Sequence, residues 1–311
     1  MKVFIASKLT NEPTGGGNQF LRLLKRKFIN VNLYTETPSQ ADVILFNSHQ
    51  HTREILFLKQ KLLDKLFVHR VDGPMRLYNT MEDARDDIVY YMNNQAANAT
   101  VFQTEWSMKR NIELGLSLDK PYAVIGNASD EEIFYKPESE NKADKIIIIS
   151  TSWSSNINKG FDYYKFLDEN LDFDKFEYWF AGRSPLTFKN IKMLGSLTSQ
   201  ELANHLRRSN LYITASKNDP CSNSLIEAIS CGRPVLALNS GGHPEIIKDK
   251  AFLFDSKEEL IEKISSLREE LFTTTSQILI PNSDEVALKY INFFKKSLIM
   301  KSGTNRNEIR G

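Results

Sequence analysis

The sequence predicts an α/β protein with two parallel-sheet domains, and three observations support this fold class. Short apolar runs alternate with amphipathic stretches along the chain, which is typical of parallel strands joined by crossover helices. The alternation stops at KPESENKADK, near residues 136–144, and then restarts. A length of 311 residues also exceeds the usual size of a single domain.

Each predicted element follows from a local pattern. The first-half strands are VFIA, VNLY, VILF, LFVHRV, TVFQ and YAVI, and the second-half strands are IIIIS, FEYWFA, IKML, LYITA, PVLAL and AFLF. FLRLLKRKF, HTREILFLKQKLL and the final SDEVALKYINFFKKSLI predict amphipathic helices. We therefore expect domains at residues 1–140 and 141–284, followed by a C-terminal helix at 285–311 that could cross back to the first domain.

Composition narrows the class of protein. With 41% hydrophobic and 25% charged residues, the chain is typical of a soluble globular protein. A net charge of +1 gives no general electrostatic case for nucleic-acid binding. No apolar run approaches the roughly 20 residues of a membrane span, and MKVFIASKL predicts a strand rather than a cleavable signal. We expect a cytoplasmic protein in which Cys221 and Cys231 are free thiols.

The stretch DPCSNSLIE carries two acids around the start of a predicted helix. Open parallel sheets bind ligands at the carboxyl ends of their strands, and Asp219 follows the strand LYITA. The free N–H groups near Asn223 and Ser224 predict an anion site, with Glu227 further into the same helix. Alternatively, Asp219 caps the helix with Pro220 as its first residue, and Glu227 is a solvated surface acid.

Four other turns at strand ends are unusual. The three glycines Gly15–Gly17 precede FLRLLKRKF, but they match neither a Walker loop nor a dinucleotide fingerprint. Lys159 precedes a helical pattern and could meet a phosphate, while Gly241 opens a glycine turn after PVLALN. Asp72, or else His69, could lie at the mouth of the first sheet. Together these turns suit a diphosphate ligand in a cleft between two domains.

A long segment of the second half resembles a known family. NDPCSNSLIEAISCGRPVLALNSGGHPEII resembles the signature of glycosyltransferase family 4, in which two acids precede a Cys-Gly-x-Pro-Val segment and a Gly-Gly-x-Pro-Glu turn. VFQTEWSMKRNIELGL, IGNASDEEIF, NKG and MLGSLTSQELANHLRRSNLYITAS resemble other segments of that family. The resemblance implies the GT-B fold, with two Rossmann-like domains whose parallel sheets face each other across a cleft.

The resemblance also implies an activity and roles for individual residues. It implies a retaining, metal-independent hexosyltransferase without a cofactor, which moves a sugar from a nucleotide-diphosphate sugar to a glycan or lipid-linked acceptor in polysaccharide biosynthesis. Glu227 would bind the ribose and Asp219 the donor sugar. Around the diphosphate and the base the resemblance places Lys159, Gly16, Gly17, Ser222, Asn223, Ser224 and Leu197.

Two departures from the family pattern leave alternatives open. The first acid is Asp219 where the family usually has Glu, and Ser154 stands where the family usually has Arg. Arg183 is a candidate substitute by its position alone. Asp72 or His69 would take the place of the family's catalytic-centre His. A GT-B epimerase or phosphorylase, or a nucleotide-sugar binding module without turnover, are the competing interpretations.

The helix FLRLLKRKF also suggests a membrane hypothesis. It places Phe20, Leu24 and Phe28 on one face, while its basic residues lie largely elsewhere. Basic amphipathic helices can bind anionic lipid, which would place the protein at the inner membrane face. The alternative is a packed crossover helix with a solvated basic face.

Overall fold

The computed structural model describes residues 1–9, 15–138, 144–266 and 278–308, although not the side chains of residues 15 and 304–308. The chain divides into two compact units. The first consists of Met1–Thr10, Asn18–Asn127 and Ser283–Gly311, and the second of Asn11–Gly17 and Ala128–Asn282. The main junction between Asn127 and Ala128 therefore precedes the boundary predicted at residue 140.

The first unit is built on a parallel sheet. Its strands are β1 (Val3–Ala6), β2 (Val43–Asn47), β3 (Leu66–Val71), β4 (Ala99–Phe102) and β5 (Tyr122–Val124). They lie side by side in chain order, and each pairs in parallel with the next. The first four strands are almost wholly buried, as expected when helices cover both faces of a parallel sheet.

The first unit also contains helices, most of which connect these strands. They are α1 (Gly15–Asn30), α2 (Thr52–Lys61), α3 (Met75–Tyr78), α4 (Arg85–Ala96), α5 (Glu105–Glu113) and, from the end of the chain, α11 (Ser283–Glu308). Helix α5 begins at a defined cap, because the Thr104 side chain accepts a hydrogen bond from the Ser107 amide at 3.1 Å.

The C-terminal helix α11 packs against α1 in the first unit. The rings of Tyr290 and Phe294 lie 6.1 Å from those of Phe20 and Phe28, respectively, and Lys27 pairs with Asp284 at 2.8 Å. The apolar face of α1 is thus buried inside the unit. That face cannot also insert into lipid, and the structure supports the packed crossover helix over the membrane hypothesis.

The second unit is also a parallel sheet with helices on both faces. Its strands are β6 (Ile146–Ser152), β7 (Phe176–Gly182), β8 (Lys192–Gly195), β9 (Leu211–Thr214), β10 (Val235–Leu238) and β11 (Leu253–Phe254). Its helices are α6 (Phe161–Asn170), α7 (Ser199–Arg208), α8 (Asn223–Ser230), α9 (His243–Ile247) and α10 (Lys257–Ser265). One buried cluster includes residues of α7 and α8, and another includes residues of α6 and α10.

The strand order of the second sheet contains a reversal. The order is β11-β10-β9-β6-β7-β8, so the chain moves outward in one direction after β6 and in the other direction after β9. The carboxyl ends of β6 and β9, which are direct neighbours, form the topological switch point. In open α/β sheets this is where ligands bind.

The structure confirms most predicted elements and corrects two strands. VNLY is not a strand, because only Tyr34 forms a bridge, to Val3. The first part of AFLF forms a short 3-10 helix, Lys250–Phe252, and leaves a two-residue strand. In the described part of the chain, no helix is both long enough and apolar enough to cross a membrane.

Candidate functional site

The switch point of the second sheet brings together a lysine and an acid from two different loops. Lys159 follows β6 and Asp219 follows β9, and the Lys159 Nζ donates a hydrogen bond to Asp219 Oδ2 at 3.0 Å. Both side chains are largely shielded from solvent. The pair combines residues 60 positions apart, which the sequence alone could not show to be in contact.

A tight turn places Lys159. The residues Ile157–Lys159 form a 3-10 helix that ends at Gly160, whose φ is +81°. A Cβ at Gly160 would overlap the carbonyl group of Ala215, at the end of β9. The backbone of Lys217 also donates to the Asn158 carbonyl at 2.7 Å. These close contacts hold the β6 loop against the β9 loop.

The glycine turn after β10 packs against the backbone of the Asp219 loop. Gly242 donates its N–H to the Asp219 carbonyl at 2.8 Å. Gly241 has a φ of +62°, and a Cβ there would overlap the Asp219 backbone. Only glycine fits this position without strain, so the predicted glycine turn contributes by packing closely under Asp219.

Burial and charge act in opposite directions on Asp219. Burial, the largest single effect, would raise the pKa of this carboxyl, but the charges of Lys159 and His243 and the hydrogen bonds from Lys159 and Cys221 together outweigh it, and the pKa lies below its ordinary value. The carboxylate is therefore ionised at neutral pH. One oxygen, Oδ1, accepts the Cys221 amide at 3.3 Å, and Oδ2 accepts Lys159.

Ser222, and not Asp219, caps helix α8. Its side chain accepts the Leu225 amide at 3.4 Å, and the helix begins at Asn223. The interpretation of Asp219 as helix cap with Pro220 as the first helical residue was wrong, because the chain turns for two more residues before the helix starts. Asp219 is thus available for another role.

The first turn of α8 carries a chain of hydroxyl groups. The Tyr212 hydroxyl donates to Ser224 Oγ at 2.9 Å, and the Thr151 hydroxyl lies 3.2 Å from that of Tyr212. Ser222 Oγ lies 3.3 Å from Ser224 Oγ. These contacts fix the side chains at the positive end of the helix, where an anion is favoured.

Glu227 is a buried acid without a hydrogen-bond partner among the described residues. Its residue is 7% exposed, and its carboxyl group makes no hydrogen bond or ion pair with any residue that the structure describes. Burial raises the pKa of Glu227 to about 8. The interpretation as a solvated surface acid was wrong. A buried acid without partners is costly, and a ligand with hydroxyl groups would supply the missing hydrogen bonds.

The predicted glycines lie at the start of helix α1 and not in a loop before it. Gly16 belongs to the second unit, where an added Cβ would overlap the side chain of Asn223. Gly17 has open space around its Cα. The structure thus explains the glycine at position 16 by close packing and leaves position 17 without a steric requirement.

Two further candidates lie on neighbouring strands of the second sheet. Arg183 follows β7, is exposed and donates its backbone N–H to the Ser152 carbonyl at 2.7 Å. This contact places it beside the β6 loop that carries Ser154. Leu197 follows β8 and packs with Leu194 against the α7 and α8 core cluster. Leu197 is therefore half-buried at the sheet's edge, where a planar group could rest on it.

In the first unit, Asp72 and His69 have different environments. The Asp72 side chain is 25% exposed at the end of β3. His69 lies inside the sheet, stacked on Phe46 with ring centroids 4.3 Å apart. Burial lowers the pKa of His69 to about 3, so the ring is neutral. Because the side chain is fully buried, a ligand cannot reach it. Of the two candidates, only Asp72 can contact a substrate.

Sequence reasoning missed two histidines near these acids. His49 follows β2, is half-buried and lies 3.2 Å from the Ser48 hydroxyl. Burial and the charge of Arg85 lower the pKa of His49 against the effect of Asp72. In the second unit, His243 is fully buried, and its Nδ1 contacts the Leu238 carbonyl at 2.9 Å. His49 lies in no recognised motif, and His243 is the variable position of the Gly-Gly-x-Pro-Glu turn.

Among the described residues, no group of three or more His, Cys, Asp and Glu side chains is placed to hold a metal ion.

Comparisons with known proteins agree with this architecture. The family model described as "Glycosyl transferases group 1" matches residues 186–282, a segment that contains both acids of the second unit. No curated protein matches the chain by sequence.

Solved structures match most or all of the chain. Sucrose-phosphate synthase from Thermosynechococcus elongatus is 13% identical with a TM-score of 0.68, and 100% of each chain is covered. Anabaena HepE in complex with UDP-glucose is 14% identical with a TM-score of 0.69, covering 97% of this chain and 100% of that chain. An S. aureus TarM mutant with UDP bound is 15% identical with a TM-score of 0.64, covering 83% of this chain and 56% of that chain. The chain thus has the GT-B glycosyltransferase fold, with two parallel-sheet α/β domains, as the sequence predicted.

Proposed function

We propose that this protein is a retaining glycosyltransferase that moves a hexose from a nucleotide-diphosphate sugar to a glycan or lipid-linked acceptor. The observation that carries the proposal is Glu227, a buried acid without a partner in the described structure, eight residues after the paired and ionised Asp219. Because Asp219 is ionised and paired while Glu227 is buried without a partner, we assign the two acids to different groups of the ligand. The nucleotide ribose and the donor sugar provide them.

The proposed nucleotide site uses the start of helix α8. The ribose hydroxyls donate to Glu227, while the N–H groups of Asn223 and Ser224 face the diphosphate. Ser222 holds the helix end in place. Arg183 adds a positive charge from the end of β7, and Leu197 supports the base. HepE with UDP-glucose and UDP supports a uridine nucleotide as the first donor to test.

The proposed transfer uses Lys159, Asp219 and Asp72. The bond between the sugar C1 and the phosphate oxygen breaks as the acceptor oxygen bonds to C1 on the same face. The acceptor proton passes to an oxygen of the departing diphosphate. Lys159 and the α8 N–H groups stabilise the negative charge that grows on this leaving group, and Asp219 accepts hydrogen bonds from the donor sugar. Asp72 accepts a hydrogen bond from a sugar hydroxyl.

Several finer features belong to the same proposal. The reaction needs neither a metal ion nor a cofactor, so EDTA should leave turnover unchanged. The role in polysaccharide biosynthesis and the cytoplasmic location are likewise proposed, and a peripheral contact at the inner membrane face would require a surface other than the buried face of α1.

The test combines binding with turnover. Thermal unfolding should be measured with UDP-glucose, GDP-mannose and ADP-glucose, because a ligand that binds the folded state raises its stability by mass action. The stabilising donor should then be hydrolysed slowly without an acceptor, releasing the nucleoside diphosphate and a sugar of retained anomeric configuration. Stabilisation without any turnover would instead identify a binding module. No stabilisation by any of the three would refute the nucleotide-sugar proposal.

A further inference from the structure

The carboxyl edge of the first sheet holds a buried polar network around one arginine. Arg70 is fully buried. Its Nη1 donates to Asn47 Oδ1 at 2.7 Å and to Asp72 Oδ1 at 2.9 Å, and its Nη2 donates to Asn127 Oδ1 at 2.8 Å. The guanidinium also lies over the Phe20 ring, 5.0 Å from its centroid. One cation thus connects the ends of several strands.

The network converges on the carboxylate of Asp72. Oδ1 accepts from Arg70 and from the side-chain amide of Gln103, while Oδ2 accepts from Asn47 Nδ2 at 3.3 Å. The backbone is held too, since the Asp72 carbonyl accepts Asn111 Nδ2 at 3.0 Å. Both the main chain and the side chain of this residue are therefore fixed.

Counting acceptor positions shows what remains open. An ionised carboxylate offers about four lone-pair positions, and described residues occupy three of them, two on Oδ1. The remaining position is on Oδ2 of a side chain that keeps 25% of its surface exposed. A hydroxyl group arriving from solvent could donate to it.

Stability alone does not explain the arginine. Burying an ion pair costs desolvation energy that the pair scarcely recovers, and well-packed apolar residues are often as stable or more stable in its place. Arg70 also does more than join strands, because it forms an ion pair with Asp72, an acid that stays partly exposed.

We infer that Arg70, assisted by Asn47 and Gln103, is a positioning residue that fixes the Asp72 carboxylate so that Oδ2 keeps one acceptor position for a hydroxyl group of a sugar substrate. This inference rests on the proposed glycosyltransferase function. It assigns Arg70 no contact with substrate, since Arg70 is closed to solvent and acts through Asp72.

A double-mutant cycle on turnover tests the inference. Arg70→Met, Asp72→Asn and the double variant are compared by UDP release from UDP-glucose, or from the donor that stabilises the wild type, and by calorimetry with the matching nucleoside diphosphate. Each single change should lower kcat about 10- to 100-fold, the loss expected for a hydrogen bond to a charged group. The double variant should lose little more than the worse single variant, and nucleotide affinity should stay within about twofold.

Controls separate positioning from folding. Arg110→Met removes a surface ion pair on α5 and should leave turnover unchanged. All rates are expressed per folded protein, as measured by thermal unfolding. If Arg70→Met does not fold, Gln103→Met takes its place in the cycle, because it removes one donor to Asp72 without leaving a buried charge.

The possible failures are distinguishable. Multiplying losses in the double variant would overturn the role of Arg70 and leave the proposed function intact. Wild-type turnover in Asp72→Asn would overturn the roles of both Arg70 and Asp72, while donor turnover by the wild type would still support a glycosyltransferase. A wild type that neither binds a nucleoside diphosphate nor hydrolyses any of the three donors would overturn the proposed function itself.

Discussion

The acids near the carboxyl ends of the two sheets differ in how many hydrogen-bond partners the protein supplies. At the edge of the first sheet, Asp72 accepts hydrogen bonds from Arg70, Asn47 and Gln103, so the protein itself supplies nearly all its partners. At the edge of the second sheet, Glu227 is buried without a partner among the described residues. In the proposed function, this difference means that Asp72 is held ready for one further contact, whereas Glu227 gains its hydrogen bonds from the ligand.

Asp219 lies between these extremes. It is ionised because Lys159, His243 and hydrogen bonds together outweigh its burial. The pair with Asp219 holds Lys159 near the start of α8, where a phosphate would bind in the proposed function. Lys159 could serve both the acid and the leaving group. Removing Lys159 should therefore have the largest effect on the proposed donor site in the second unit.

The largest expected effect is that of Lys159→Ala on turnover. Removing a group that stabilises transition-state charge typically costs about 100- to 1,000-fold in kcat, and donor affinity should fall much less, because the charge develops only as the sugar–phosphate bond breaks. Steady-state kinetics with the stabilising donor measure both quantities.

The matched control for this change is Lys175→Ala, which removes an exposed lysine paired with Asp172 and should be silent. Equal losses in kcat and in donor affinity for Lys159→Ala would show that the lysine contributes only to ground-state binding.

A smaller effect is expected from pH, because Glu227 ionises in an accessible range. Its pKa is about 8 in the folded protein against 4.5 for the ordinary group. Between these values the folded protein holds a proton that the unfolded chain has released, so raising the pH through this window lowers the free energy of unfolding. Urea unfolding at pH 5, 6.5 and 8 should show this fall in the wild type and less of it in Glu227→Gln.

Ligand binding should make the ionised form of Glu227 the favoured one. If ribose hydroxyls donate to its carboxylate, UDP binding below pH 8 releases a proton, and UDP affinity rises by up to about tenfold per pH unit before levelling off above pH 8. The comparison with Glu227→Gln cancels the titration of UDP itself. An affinity that instead declines above pH 8 would mean that the protonated acid binds the nucleotide.

The smallest expected effect is that of Ser222→Ala, which removes the α8 cap. The loss should be about 1 kcal/mol in the free energy of unfolding, or roughly 2–4 °C in Tm, and nucleotide affinity should weaken slightly because the helix end is less ordered. Thr198→Ala removes the capping box of α7 in the same unit and should cost similar stability without changing nucleotide affinity. If the two variants bind nucleotide alike, the start of α8 has no special role.

The sequence allowed much of the fold to be predicted, since buried parallel strands such as LFVHRV and FEYWFA are apolar enough to be recognised locally. VNLY failed because its apolar residues continue from α1 and find only a single bridge to Val3. The strand order reversal at β6 and β9 could not be predicted, because it depends on pairing between distant segments.

For the candidate site, the sequence allowed residues to be named but not their contacts to be predicted. Asp219, Glu227 and Lys159 stand at strand ends or in a recognisable motif, so local pattern sufficed to name them. Their states were not predictable: the Lys159–Asp219 pair, the Ser222 cap and the burial of Glu227 arise from contacts between segments. The Arg70 network escaped notice because Arg70 lies inside an apolar strand, where alternation alone gives no sign of what its side chain meets.

The central claim is that the two acids of the second unit bind different parts of one donor, and calorimetry with UDP together with a transfer assay on Glu227→Gln and Asp219→Asn tests it most directly. Glu227→Gln should weaken UDP and UDP-sugar alike by about 10- to 150-fold, the value of a lost hydrogen bond to a charged group. Asp219→Asn should bind UDP nearly as the wild type does, yet lose most of its transfer activity. An Asp219→Asn enzyme with full activity, or a Glu227→Gln protein with unchanged UDP affinity, would contradict the account.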